Sequence, residues 1–243
     1  MNGERPGGRI WRLYKMGGML PAIHSMFDMQ NAQQIAFIRS VMKEQRRQEL
    51  NAIPLESIEA VAFDLETTGF SPYMGDEIIS IGAIGVVGPR LSDDHYYSLV
   101  KPKKSIPPAV EQLTGITDSM VKDAPEPIVA LRAFLEFVQQ RILIAHGSGH
   151  DKHFLNSALW RTSRVNLSHR LLDTMVIAKW LHPELSSFQL DEMLALYGIP
   201  VERRHHALAD ARMTAQLWCR FLRKMLDRNI RTLGELYAQL GRS

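Results

Sequence analysis

The sequence predicts an α/β fold, a mixed central sheet with helices on both faces, and three observations carry that expectation. Short apolar, β-rich runs alternate along the chain with longer stretches whose apolar residues recur at helical spacing. Three strand-like runs come first, joined as in hairpins, before any long helical pattern of the core. A helical stretch opening with proline then leads to a fourth apolar strand, as a crossover helix does.

Each element follows from its residues. Residues 58–66, within IEAVAFDLETT, are short, apolar and β-rich, as a buried central strand is. Residues 77–87 and 95–100 read as the next two strands, with the turn-rich VGPRLSDD between them. Residues 125–140 form the crossover helix, with Ile128, Leu131, Phe134, Leu135 and Val138 on one side. Residues 141–145 make a fourth strand, and a helix running to about residue 161 follows. Asp173 is expected to cap a helix over 174–181, and further helices are placed at 188–197, 207–226 and 232–240.

Length and composition set bounds. A chain of 243 residues holds one core of about 170 residues with room for an extension. The expected division is a basic helical extension over 1–55, a central domain over 56–228 and a C-terminal helix within 229–243. Residues 1–50 carry eight Lys or Arg against four Asp or Glu, while the rest of the chain is slightly acidic. The central domain therefore offers no broad basic groove for duplex binding. Ile35, Ile38, Val41 and Met42 form an apolar stripe at helical spacing, which reads as packing on the domain, and Arg46 and Arg47 follow it. The other use for this extension is contact with a partner protein or nucleic acid. Cys219 is the single cysteine, which excludes a disulfide framework and points to a cytoplasmic protein. No apolar run reaches the length of a membrane span, and the opening residues lack the apolar core of a signal peptide.

The chemistry lies in carboxylates. Asp64 and Glu66 stand two apart on a strand, so both aim at one point. Asp151 falls in the first turn of its helix, and Asp210 in the first turns of another, five positions after His205. Carboxylate oxygens suit Mg²⁺ and Mn²⁺, and converging carboxylates repel one another unless a cation lies between them. Two such ions can clamp a phosphodiester during hydrolysis. His205 sits in a polar loop and, with an ordinary pKa of about 6.5, can accept a proton near neutral pH. His146, His150 and His153 around Asp151 raise a zinc alternative, which the absence of a nearby cysteine and the surrounding carboxylates disfavour. His206 reads as a solvated loop histidine, and Gly69, ending the TTG turn, as a position for positive φ.

These motifs, VAFDLETTG, LIAHGSGHDKHFL and HHALADA, resemble the DEDDh group of 3′→5′ exonucleases, the family that includes the bacterial DNA polymerase III proofreading subunit and ribonuclease T. The resemblance spans residues 58–225 or so and implies a ribonuclease H-like fold. It departs from the family pattern at Gly147, where asparagine is usual, and at His150, where an aromatic is usual. By resemblance, Asp64 bridges two divalent cations, Mg²⁺ or Mn²⁺. Glu66 and Asp210 complete the first site, Asp151 supports the second, and His205 is the general base. The turn Thr67, Thr68 and Gly69 would receive the 3′-terminal nucleotide, with Leu113, Thr114, Gly115 and Ile116 against its base and sugar and His146 also contacting substrate. The activity implied is removal of nucleoside 5′-monophosphates from free 3′ ends of DNA, single-stranded DNA foremost, or of RNA. The alternative is an idle module that binds 3′ ends or accompanies a polymerase.

Overall fold

The computed structural model describes residues 19–45 and 51–241, with side chains from residue 29 onward. Arg46, Arg47 and the basic residues of 1–18 lie outside the described residues. A long helix, α1 (Met19–Gln45), precedes strand β1 (Glu59–Thr67), which pairs with β2 (Ile78–Val87), and β2 in turn with β3 (Arg90–Leu99), all antiparallel. Helices α2 (Pro108–Thr114), α3 (Asp118–Val121) and α4 (Pro127–Val138) lead to β4 (Ile142–Ala145), which pairs parallel with β1. Then come α5 (Gly149–Ser163), β5 (Leu171–Asp173), parallel to β4, and α6 (Thr174–Leu181). Helices α7 (Leu190–Leu196), α8 (Ala207–Asp227) and α9 (Leu233–Leu240) complete the chain. The sheet order is β3-β2-β1-β4-β5, so β1 is central and the sheet is mixed, as the sequence predicts.

Alternation along β1 explains how the sheet is covered on both faces. Ala60 and Ala62 point into one core with Ile142, Ile144, Trp218, Phe221 and Leu233, supplied by β4, α8 and α9. Val61, Phe63 and Leu65 point into the other, with Phe134, Leu135, Phe154 and Ile38 from α4, α5 and α1. A strand buried on both faces has no polar positions to spare, hence the near-continuous apolar run. The stripe on α1 does pack on the domain: Ile38 and Met42 are buried, and Arg39 Nε donates to the Ser163 carbonyl at 3.0 Å. Among the described residues no helix is long and apolar enough to cross a membrane.

One expected loop is shorter than its composition suggests. The segment LSDD belongs to β3, and only Gly88 and Pro89 separate it from β2. Gly88 at φ +51° makes so tight a connection feasible, and a Cβ there would stand 2.0 Å from the Glu56 carbonyl.

Candidate active site

Asp64 and Glu66 continue the row of Ala60 and Ala62 and so emerge on the face that α8 covers. Asp64 is opposite Gly82 on β2, and a Cβ at Gly82 would lie 2.2 Å from the backbone of Ala207 and Leu208. The missing side chain lets the start of α8 rest directly on the sheet. Asp210, one turn in, thereby reaches the strand pair: ligand atoms of Asp64, Glu66 and Asp210 all lie within 4.8 Å of one another.

Asp151 arrives from the opposite face. The β4 ladder follows β1 only as far as Ala62 opposite Ile144. Beyond that end, the Leu65 N–H donates to the buried Asp151 carboxylate, as does the N–H of Asp151 itself. Burial and mutual repulsion together disfavour the charged forms. Burial foremost, then the charges of Asp151, Glu66 and Asp210, hold Asp64 well above the usual carboxylate range. Glu66 is pushed up to about 8 by burial and by Asp210 and Asp151, and Asp151 to about 7, chiefly by burial. Four carboxyl groups forced together against their own repulsion fit hard divalent cations. Among the described residues, the one cluster with metal-ligand spacing contains no histidine, so the zinc alternative gains nothing.

The loop between β4 and α5 is shaped by Asp173 at the end of β5. Its carboxylate accepts the N–H of Gly147 at 3.0 Å and of Ser148 at 2.8 Å, and caps α6 through the Met175 N–H at 2.8 Å. Gly147 stands at φ +66°, the left-handed conformation that a glycine meets without strain. His146 is engaged within the protein at both nitrogens, with Thr174 Oγ1 and the Phe188 carbonyl, each at 2.9 Å. The histidine beside the turn is instead His150, whose Nε2 is 3.3 Å from Thr67 Oγ1.

In the turn itself, Thr67 Oγ1 donates to the Gly69 carbonyl at 2.7 Å, and Thr68 Oγ1 accepts the Glu77 N–H at 2.9 Å. Gly69 is not in a positive-φ conformation, contrary to expectation. A Cβ there would stand 2.4 Å from the Asp76 carboxylate and would displace that side chain.

The polar loop before α8 brings a residue that the sequence motifs do not flag. Arg204 donates to both Asp210 Oδ1 and Asp191 Oδ1, the latter at 2.6 Å, and tempers the negative charge at Asp64 and Glu66. His205, at φ +56°, donates its backbone N–H to Asp210 Oδ2 at 3.0 Å. His206 is not free in solvent, as expected, but stacks on Tyr97 with centroids 4.8 Å apart. Of the segment 113–116, Leu113 and Gly115 are exposed, whereas Ile116 is buried among Ile79, Ile106 and Val121. Thr114 is buried too and ties the helix end together, donating to the Val110 carbonyl and accepting the Ile116 N–H. Gly115 at φ +73° is the C-cap of α2.

Two determinants, Gly82 and Arg204, stand outside the sequence motifs. Gly82 does carry a signal, since a glycine inside an apolar strand marks close approach of another backbone. Arg204 carries none, because its partners Asp191 and Asp210 lie on different helices.

Comparison with known proteins agrees with this geometry. Residues 61–218 match the exonuclease family of the RNase T type. A DNA polymerase III PolC-type protein of Thermotoga maritima is 35% identical over 176 residues, 72% of this chain but 13% of the relative. A DNA polymerase III subunit epsilon-like protein of Rhodobacter capsulatus is 33% identical over 190 residues, covering 77% of this chain and 27% of that one. The chain thus spans a minor part of the curated relatives it matches. Among solved structures, the nuclease domain of 3′hExo, a DEDDh family member bound to rAMP, superposes with a TM-score of 0.62 at 21% identity. The match covers 69% of this chain and 93% of that one, and the two share the ribonuclease H-like fold.

Proposed function

The chain belongs to the RNase T-type exonuclease family, and from that premise we propose that it hydrolyses phosphodiester bonds from free 3′ ends, releasing nucleoside 5′-monophosphates. The observation that carries the proposal is the convergence of Asp64, Glu66 and Asp210 within 4.8 Å, with buried Asp151 beside them. These four residues would hold two divalent cations, Mg²⁺ or Mn²⁺, which when bound lower the pKa of water and offset charge building on the phosphodiester. Asp64, on the central strand, feels the charges of the other three carboxylates and would hold the cations together with them. His205 accepts the proton of the attacking water on its imidazole, and the left-handed backbone at this residue sets how its side chain leaves the loop. Arg204 keeps Asp210 from turning away through its bond to Oδ1. The turn of Thr67, Thr68 and Gly69 receives the 3′-terminal nucleotide, with His150 at its edge and Leu113 and Gly115 as exposed contacts.

DNA is the proposed substrate, because the relatives with matching sequence are named as DNA polymerase III proteins. The same names support a polymerase partner, and a cytoplasmic setting in which both would be met. Digestion of 5′-labelled single- and double-stranded DNA and RNA with Mg²⁺ or Mn²⁺ tests the reading. A ladder shortening from the 3′ end, abolished by EDTA, is the expected result. Shortening from the 5′ end, or internal cuts alone, would refute it.

A further inference from the structure

Large side chains stand in solvent beside α5, the helix that carries Asp151 in its first turn. Tyr73 is 73% exposed and Trp160 51%. The His150 ring, whose Nε2 is 3.3 Å from Thr67 Oγ1, lies 5.8 Å from the ring of Phe70. Tyr73 meets His153 at 6.1 Å, and the Arg164 guanidinium lies 5.8 Å from the Trp160 ring. His150, His153, Ser157, Arg161 and Arg164 recur at three or four along α5 and its C-cap, so they share a face. Asp151 sits at the start of that helix.

A groove of about 680 Å³ runs between this face and the turn Pro72–Met74, with Tyr73 and Trp160 among its lining. Its rim is cationic. Lys104 Nζ reaches over Gly75, 2.7 Å from where a Cβ would stand, Arg161 lines the α5 side, and Arg164 stands beside the Trp160 ring. The carboxylates nearby are already engaged. Glu77 is buried, accepts the Lys103 N–H at 2.6 Å and lies 3.9 Å from Arg161, while Asp76 accepts the Ser71 N–H at 2.9 Å.

We propose that this groove carries the single-stranded stretch upstream of the 3′ end, with bases stacked on Tyr73 and Trp160 and phosphates facing Lys104, Arg161 and Arg164. The inference rests on the exonuclease reading, which puts the 3′ end at the acidic cluster. Exposed aromatics supply faces on which any base can stack, and a cationic edge follows the phosphates, the combination that binds single strands without reading sequence. A duplex would hide those base faces, so the groove favours single strands. From residue 150 to 164 the helix spans about 21 Å, room for up to about six nucleotides at roughly 3.4 Å each when stacked.

The test uses the full chain with fluorescent dT12 and rU12 ending in a 3′ phosphorothioate to resist hydrolysis, and reads affinity by anisotropy in Mg²⁺. Tyr73→Ala and Trp160→Ala should each weaken binding about 5- to 150-fold, the worth of one stacked base. The wild-type preference for dT12 over the dinucleotide pdTpdT should narrow by a similar factor. Lys104→Gln with Arg164→Gln leaves the aromatics in place and should flatten the dependence of log Kd on log salt by about 0.7 for each phosphate that is no longer neutralised. Wild-type affinity for both oligonucleotides in a folded Tyr73→Ala, Trp160→Ala double variant would overturn the proposal, as would an unchanged salt slope in the Lys104, Arg164 pair. Binding of a polypeptide at the patch in place of either oligonucleotide would overturn it too. Length-dependent binding that needs Trp160, in a wild-type chain that cleaves nothing, would sink the exonuclease reading and leave the groove standing.

Discussion

Replacing Gly82 by alanine tests how the site is assembled, because it touches none of the proposed ligands. The new Cβ would stand 2.2 Å from the Ala207 carbonyl carbon and the Leu208 nitrogen, and 2.4 Å from the Ala207 oxygen. Ordinary contact needs about 3.5 Å, so one of the two backbones must yield by more than about 1 Å. Strand β2 is hydrogen-bonded on both sides, to β1 and β3, and cannot give way. The start of α8 must therefore rise, lifting Asp210 from Asp64 and Glu66. Metal sites tolerate errors of about 0.2 Å in ligand distance, and a misplacement of 1 Å can lower a rate about 10²-fold. Gly82→Ala should thus lose about 10²-fold or more in kcat on 5′-labelled single-stranded DNA and bind Mn²⁺ more weakly by calorimetry. The overpacking should cost about 1–3 kcal/mol of stability by thermal unfolding. Gly149→Ala is the control, since a Cβ there meets nothing within 4 Å. A folded Gly82→Ala protein with wild-type rate and Mn²⁺ affinity would refute the claim that this glycine seats Asp210.

The remaining predictions concern charge and proton transfer. Asp64→Asn should reduce hydrolysis below about one per cent, yet hold or raise stability in EDTA because it relieves repulsion among the carboxyl groups; activity above that level would remove Asp64 from the metal site. In EDTA, Glu66 and Asp151 titrate near 8 and 7 in the folded protein, and Asp64 is raised as well, against about 4 in the unfolded chain. The folded state holds the extra protons, so these groups' contribution is greatest below pH 4 and declines as pH rises to about 8. Their share of the pH profile of Tm should therefore slope downward over that window, and Mg²⁺ or Mn²⁺ should remove the slope; a Tm rising across it in EDTA would contradict the reading. For His205, asparagine is the better probe than alanine, because Asn tolerates the left-handed backbone found there. His205→Asn should lower kcat by about 10²–10⁴ with Mn²⁺ affinity near normal and an altered acidic limb of the pH–rate profile. Unchanged rate and profile would make His205 a bystander.

Much of this protein is written locally. The run over 58–66 declares a strand buried on both faces, and β1 occupies 59–67 at the centre of the sheet. The spacing of two between Asp64 and Glu66 puts both on one face whatever surrounds them. Helical periodicity gives α8 nearly residue by residue, because twenty-one residues without Gly or Pro and with one apolar face leave no competing conformation. The stripe of Ile38 and Met42 likewise names its own burial.

The tertiary structure decided everything that depends on one backbone meeting another. Turn-forming residues in LSDD suggest a loop, but β3 runs straight through them: Leu91 and His95 pair with Val86 and Ile84 of β2, and Ser92, Asp93 and Asp94 form the irregularity between those pairs. Gly69 leaves room for the Asp76 side chain and does not use a positive φ, and no local pattern tells those two uses apart. His146 and His150 look alike as letters. The first has both nitrogens occupied by Thr174 and Phe188, distant in sequence, and the second is left beside Thr67. Arg204 became part of the site only when α7 and α8 brought Asp191 and Asp210 to opposite ends of its guanidinium. The carboxylates name the chemistry from the sequence alone, because ligand type is a property of the side chain. Their convergence is a property of the fold, set by a glycine opposite Asp64 and by a strand that ends early enough to free the Leu65 N–H for Asp151.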